Sequence, residues 1–112
     1  MEMSVRTEGD ICIVTVQEPR IDAPVAVAFK DVLRTQTAGA PPQVILNLSE
    51  VDFIDSSGLG AIVAAMKNLA PERTLHLAGL TPMVDKVFRL TRMDSVFQIF
   101  PTLEDAVDAQ RV

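Results

Sequence analysis

The stretch that decides the fold runs from Val44 to Met66 and reads VILNLSEVDFIDSSGLGAIVAAM. Its first part, Val44-Ile45-Leu46-Asn47-Leu48, is rich in β-branched and apolar residues, as a central strand buried on both faces requires. Ser49-Glu50-Val51-Asp52 is a turn, and Phe53-Ile54 is a short apolar approach to Asp55-Ser56-Ser57-Gly58. From there Leu59, Ile62, Val63, Met66 and Leu69 recur at helical spacing, which predicts a helix over 57–68 that starts within or just after the serines.

The same alternation extends in both directions. Upstream, 2–7 and 11–16 flank Glu8-Gly9-Asp10, a triplet suited to a tight turn, so the two runs predict a hairpin. In the second run Ile11 and Ile13 face one way and Cys12, Val14 and Val16 the other, the mark of a strand covered on both sides. A helix opens at Asp22 or Ala23, with Val25, Phe29, Val32 and Leu33 on one face. Downstream, 74–79 is a strand. Thr81-Pro82 is a helix start, with a hydroxyl N-cap ahead of proline and Met83, Val84, Val87, Phe88 and Leu90 as the apolar face. Residues 96–100 predict a short edge strand. Thr102-Leu103-Glu104-Asp105 resembles a capping box opening a last helix that carries Leu103, Ala106 and Val107. The expected fold class is α/β: one domain over 1–112, with a small mixed sheet, mostly parallel, an N-terminal antiparallel hairpin and about four helices.

Composition narrows the function classes. The chain has 112 residues, 48% apolar and 22% charged, enough to bury a core. Ten Lys and Arg against fifteen Asp and Glu give a net charge of −5, which disfavours nucleic acid and anionic membrane surfaces as partners. One cysteine and one histidine leave no internal disulfide and no cluster of metal-binding residues. No apolar run approaches the ~20 residues that span a bilayer, and the start carries no signal-peptide pattern, so a cytoplasmic protein without membrane insertion is expected.

The candidate chemistry sits at the start of the 57–68 helix. Helix N-termini carry unpaired N–H groups and positive potential, so they accommodate phosphate. Phosphorylation of a serine here adds roughly −1.5 to −2 charge beside Asp55. Gly58, Gly60, Ala61 and Ala64 keep this end of the helix low in profile, so that a partner surface approaches the backbone. The plainer reading is that Asp and Ser before an apolar helix are caps. The two are compatible if Ser57 caps while Ser56 projects outward. A serine hydrolase pairing Ser56 with His76 is a third possibility, but Ser56 lies outside any G-x-S-x-G elbow. Gly58-Leu59-Gly60 lacks the lysine of a P-loop and the third glycine of a dinucleotide loop, so no cofactor is expected.

The strand, the DFIDSSGLGAIV stretch and the order of elements resemble the STAS domain family, and within it the bacterial anti-sigma factor antagonists. The resemblance covers nearly the whole chain. It implies that Ser56, directly after Asp55, is phosphorylated by a partner anti-sigma factor that is a serine kinase. The unphosphorylated form then binds that factor and frees the sigma factor, and a PP2C-type phosphatase resets the switch. It also implies a partner surface built from Asp22, Ala23, Asp55, Ser57, Gly58, Leu59, Gly60, Ala61 and Ala64, and no catalytic residue in this chain. Many members carry a glycine before the loop aspartate, where this chain reads Gln17-Glu18-Pro19-Arg20. The alternative within the same fold is a non-phosphorylated STAS subunit of a lipid or other membrane transporter that grips its ATPase subunit.

Overall fold

A computed structural model describes residues 1–111. The hairpin forms from β1 (Met3–Glu8) and β2 (Ile11–Val16), antiparallel with Glu8 opposite Ile11. The strands reach further than the turn triplet predicts, leaving a two-residue loop in which Gly9 takes φ +59°. The first central position of a primed hairpin turn demands that sign. A two-residue strand β3 (Arg20–Ile21) leads into helix α1 (Ala23–Gln36), and β4 (Gln43–Asn47) follows. A second two-residue strand, β5 (Phe53–Ile54), precedes α2 (Ser56–Leu69). Then come β6 (Thr74–Ala78), α3 (Pro82–Leu90), a 3-10 turn (Met93–Ser95), β7 (Ile99–Phe100) and α4 (Leu103–Gln110).

The main sheet has five strands in the order β1-β2-β4-β6-β7, antiparallel at the hairpin and parallel elsewhere; β7 lies at the edge as expected, but only Ile99–Phe100 of the predicted 96–100 pair. β3 and β5 form a separate parallel pair that the sequence reading leaves as loop. Two paired residues carry no period, so no pattern announces them.

The alternation in β2 resolves into two faces. Cys12, Val14 and Val16 join Val44, Leu46, Leu75 and Leu77 in a core with the residues of α1, α2 and α3. Ile11 and Ile13 join Ile45 and Ala78 beneath Ala106 and Val107 of α4. The sheet therefore separates three helices from one. Burying an apolar side chain of this size stabilises by roughly 1.5–3 kcal/mol, which commits each strand to a single register.

The helix faces depart from prediction in detail. In α1 the buried line is Ala26, Phe29 and Leu33, with Val25 and Val32 flanking it. In α2 it is Gly58, Ala61, Ile62, Ala65 and Leu69, with Leu59, Val63 and Met66 only partly covered. Small residues let α2 lie close to its neighbours, so Gly58, Ala61 and Ala65 face inward beside Ile62 and Leu69, while Leu59, Val63 and Met66 stay at the flank. In α3 only Val84 and Phe88 are buried, whereas Met83 and Leu90 are exposed. Thr81 does not cap α3 with its side chain. Its hydroxyl donates to the Val51 carbonyl at 2.7 Å, tying the helix start to the loop after β4. Thr102 does cap α4, accepting from the Asp105 N–H at 3.1 Å. Among the described residues no helix is long and apolar enough to cross a membrane.

Two glycines of α2 make opposite predictions. A methyl at Gly58 would run into the Ile21 carbonyl oxygen, with Ile54 Cγ1 at 2.9 Å. A methyl at Gly60 meets nothing within 4 Å. Gly→Ala within a helix gains about 0.5–1 kcal/mol where there is room. Gly60→Ala is expected to raise stability by that amount in urea unfolding. Gly58→Ala is expected to lose about 1–3 kcal/mol through overpacking against backbone, and equal stability of the two variants would refute the close approach.

Candidate functional site

The site forms where α1 and α2 begin. Their start residues lie far apart in the chain, and the β3–β5 pair brings them together. Pro19 O accepts from the N–H groups of Asp52 at 2.8 Å and Phe53 at 3.2 Å. Arg20 pairs with Phe53 and Ile21 with Ile54, and the Asp55 N–H donates to Ile21 O at 3.4 Å. Ile21 and Ile54 are buried beneath.

Asp55 is the N-cap of α2, and Ser56 is its first residue. Asp55 Oδ1 accepts the Gly58 N–H at 2.9 Å, while Oδ2 accepts the Ala23 N–H at 3.1 Å. One carboxylate thus satisfies an orphan donor at the start of each helix. The expectation that Ser57 caps is corrected: the aspartate takes the role, because a carboxylate serves two helices and a hydroxyl only one. The Gly58 N–H, chiefly, with help from Ala23, holds the Asp55 carboxyl below the usual carboxylate range, against a smaller opposing effect of burial.

Asp22 precedes α1 without capping it by its side chain. Its Oδ2 instead accepts from Arg20 Nε at 3.0 Å, and the Arg20 guanidinium lies 4.2 Å from the centroid of the Phe53 ring. Arg20 and Phe53 are absent from the sequence-derived site because only the short β3–β5 pairing, which no sequence pattern announces, brings them side by side. Val27 is also absent, yet it is 65% exposed on α1. Its signal is legible in hindsight: it is an apolar residue out of phase with the buried face of its helix.

The predicted surface residues divide into two groups. Ser56, Ser57, Gly60 and Ala23 are exposed, and Asp22, Asp55, Leu59 and Ala64 are partly so. Gly58 and Ala61 are buried, Ala61 at 3% exposure, and this corrects their assignment to a surface. Gly58 serves an approach within the chain, to Ile21, and Ala61 belongs to the core.

His76 does not join the site. It alternates with Leu75 and Leu77, which face α2, and lies beside Ile45, which faces α4. Its ring meets Phe100 edge-on with centroids 6.2 Å apart. Its Nε2 is 2.7 Å from Gln43 Oε1, and burial lowers its pKa. The sheet stands between His76 and Ser56, so the histidine cannot serve as base for that serine. Cys12 is buried in the core under α1 and α2, where burial raises its thiol pKa against the smaller effect of Arg73.

Fold and site define an α/β module that presents two exposed serines at the start of a helix capped by Asp55. The model of the STAS domain matches residues 2–106, and the chain belongs to that family. It is 31% identical over 80 residues to the anti-sigma-B factor antagonist of Listeria monocytogenes, covering 70% of each chain. It is 25% identical over 91 residues to the anti-sigma-F factor antagonist RsfB of Mycobacterium tuberculosis, covering 81% of this chain and 75% of that one. Among solved structures, an anti-sigma factor antagonist from Mycobacterium paratuberculosis superposes with a TM-score of 0.88. That structure is 29% identical in sequence, over 99% of this chain and 94% of the other.

The Asp55 clamp predicts an order of stability. Asp55→Asn retains one acceptor and Asp55→Ala none, so the melting temperature should fall from wild type to Asn to Ala, with faster amide exchange at Ala23 and Gly58. Because the folded-state pKa is depressed, the wild-type advantage over Asp55→Asn is complete above the ordinary carboxylate pKa of about 3.9. It is lost as pH falls below that value and through the folded pKa. An advantage that persists unchanged into strong acid would show that the carboxylate is not the clamp.

Proposed function

We propose that this chain is an anti-sigma factor antagonist working by partner switching in the cytoplasm, with residues 1–112 acting as one binding module. Unphosphorylated, it binds an anti-sigma factor that is itself a serine kinase, and the sigma factor is released. Phosphorylation of Ser56 ends that binding, and a PP2C-type phosphatase restores it. The observation that carries this reading is an exposed Ser56 at the first position of α2, adjacent to a carboxylate already committed to two backbone donors. The similarity to the anti-sigma factor antagonists of Listeria and Mycobacterium supports the same direction.

No catalytic group is needed in this chain. A serine hydroxyl is a poor nucleophile, and the kinase supplies the base, the metal and the nucleotide. The chain supplies an acceptor held on a rigid helix start and a low surface around it. Ala23, Val27, Ser57, Gly60 and Ala64 form that surface, with Asp22 and Leu59 at its margin. A phosphate on Ser56 places about −1.5 to −2 charge where Asp55 and Asp22 are already negative. Burying that charge against a partner costs desolvation as well as repulsion. A penalty of ~3–4 kcal/mol weakens binding by roughly 150- to 1,000-fold, which is enough to act as a switch.

The test uses the anti-sigma factor encoded in the same organism. Calorimetry should give Ser56→Ala an affinity near that of the unphosphorylated wild type and Ser56→Asp at least about tenfold less. Phosphopeptide mass spectrometry of cells in growth and in stress should find phosphate on Ser56 with occupancy that changes. Equal affinity of the two variants, together with absence of phosphate in every condition, would overturn the switch and favour the constitutive transporter-subunit reading.

A further inference from the structure

α1 and α2 start together under Asp55 and run side by side along the same face of the sheet. On α1, Ala23, Val27, Lys30 and Arg34 recur at i, i+4, i+7 and i+11; on α2, Ser57, Gly60, Ala64 and Asn68 recur at i, i+3, i+7 and i+11. Residues so spaced share a helix face. The far ends of these two stripes line a groove of about 220 Å³. Its α2 residues, Ala64 to Leu69, lie about 12 to 20 Å along α2 from Ser56, at 1.5 Å per residue.

The floor of the groove is apolar, with Leu33, Ala65 and Leu69 in the core. Its rim is cationic. Lys30 and Arg34 come from α1, and Arg73 from the chain just before β6. Arg73 is fixed in place, its Nε–H donating to Ala40 O at 2.8 Å. Arg34 lies 3.2 Å from Asp31, but both side chains are more than half exposed, so that pair leaves most of the charge available. Lys30 has no carboxylate within ion-pair distance among the described residues. No acidic residue lines the groove, on a chain whose net charge is −5.

We infer that this groove is a docking site for an acidic, apolar-bearing segment of a partner protein. Such a segment seats one large apolar side chain on Leu33 and Leu69 and sets carboxylates against Lys30 and Arg34. A nucleotide fits poorly, since sites of that class run to about 300–1,000 Å³ and no aromatic ring lines this one. A polyanion such as nucleic acid, or an anionic bilayer, meets the negative charge of the whole chain before it meets three cations. A short acidic peptide places few charges, and places them locally. This inference does not depend on the Ser56 switch, because the groove shares only Ala64 with the surface around Ser56 and has its own probe.

The test is an NMR titration of the full ¹⁵N-labelled chain with the capped peptide EELFEE, with KKLFKK, EESSEE and hexanoate as comparisons. EELFEE should shift the amides of Lys30, Arg34, Thr37, Ala64 and Asn68 saturably, leave Ser56 unmoved, and bind less tightly as salt rises. Lys30→Glu with Arg34→Glu should weaken it at least about tenfold, the equivalent of about 1.4 kcal/mol. Lys30→Gln with Arg34→Gln should give a smaller loss. Both positions are exposed, and the remaining spectrum reports whether the fold is intact. Equal binding of KKLFKK or EESSEE, shifts scattered over the surface, or charge variants that bind as well as wild type would overturn the assignment. So would hexanoate reproducing the shifts and affinity of the peptide, which would make this a small-anion site.

Discussion

The carboxylate of Asp55 is the constraint on which the rest of the functional end depends. Two helices begin there, each with N–H groups that no residue of its own helix can satisfy. A charged acceptor between them makes two charge-assisted hydrogen bonds and sits at the positive ends of both macrodipoles. The neighbouring contacts reinforce one another. Gly58 lets α2 press on the Ile21 carbonyl, the Asp55 N–H bonds to that same oxygen, and Pro19 O takes two N–H groups from the other loop. The result is a rigid platform made of two short loops, with Ser56 and Ser57 exposed on top. Loops normally buy adaptability at the expense of precision. Here the β3–β5 pair and the clamp give the platform the definition of regular structure.

The second organising fact is the sheet as a partition. α1, α2 and α3 share one face and α4 has the other, so each strand residue is committed to one side or the other. This places His76 on the α4 side, its Nδ1 buried without a hydrogen-bond partner and its pKa lowered by burial. A serine–histidine pair across a packed sheet is impossible, whatever the two residues could do in contact. What remains at the serines is a surface, with charge distributed unevenly along it. At the Ser56 end Asp22 is paired with Arg20 and Asp55 is held by two backbone N–H groups, while Lys30, Arg34 and Arg73 line the groove at the other end.

Much of the architecture was legible before any coordinates. Long runs with a clear period, such as 11–16 and 44–48, declare strands buried on both faces, and the hairpin, the crossover helices and the edge strand follow from their order. Errors fell where side-chain size competes with hydrophobicity. Gly58, Ala61 and Ala65 occupy the buried line of α2 because close packing rewards small residues, whereas a hydrophobic count favours Leu59 and Met66. Thr81 looked like a cap and is instead a tie to Val51, since a hydroxyl serves whichever acceptor the tertiary fold brings closest.

The sequence by itself determined the α/β class, the strand order's local units, the Asp55-Ser56-Ser57-Gly58 turn at a helix start and the exclusion of an internal disulfide. These depend on periodicity, composition and short-range geometry, which act between residues near in the chain. Only the tertiary structure decided that Asp55 caps two helices, that Gly58 and Ala61 face inward, that Arg20 and Phe53 stand beside the site, and that two cations of α1 and Arg73 rim one apolar groove. Each of these joins residues distant in sequence. Such contacts follow from how elements dock, and no local pattern carries that information.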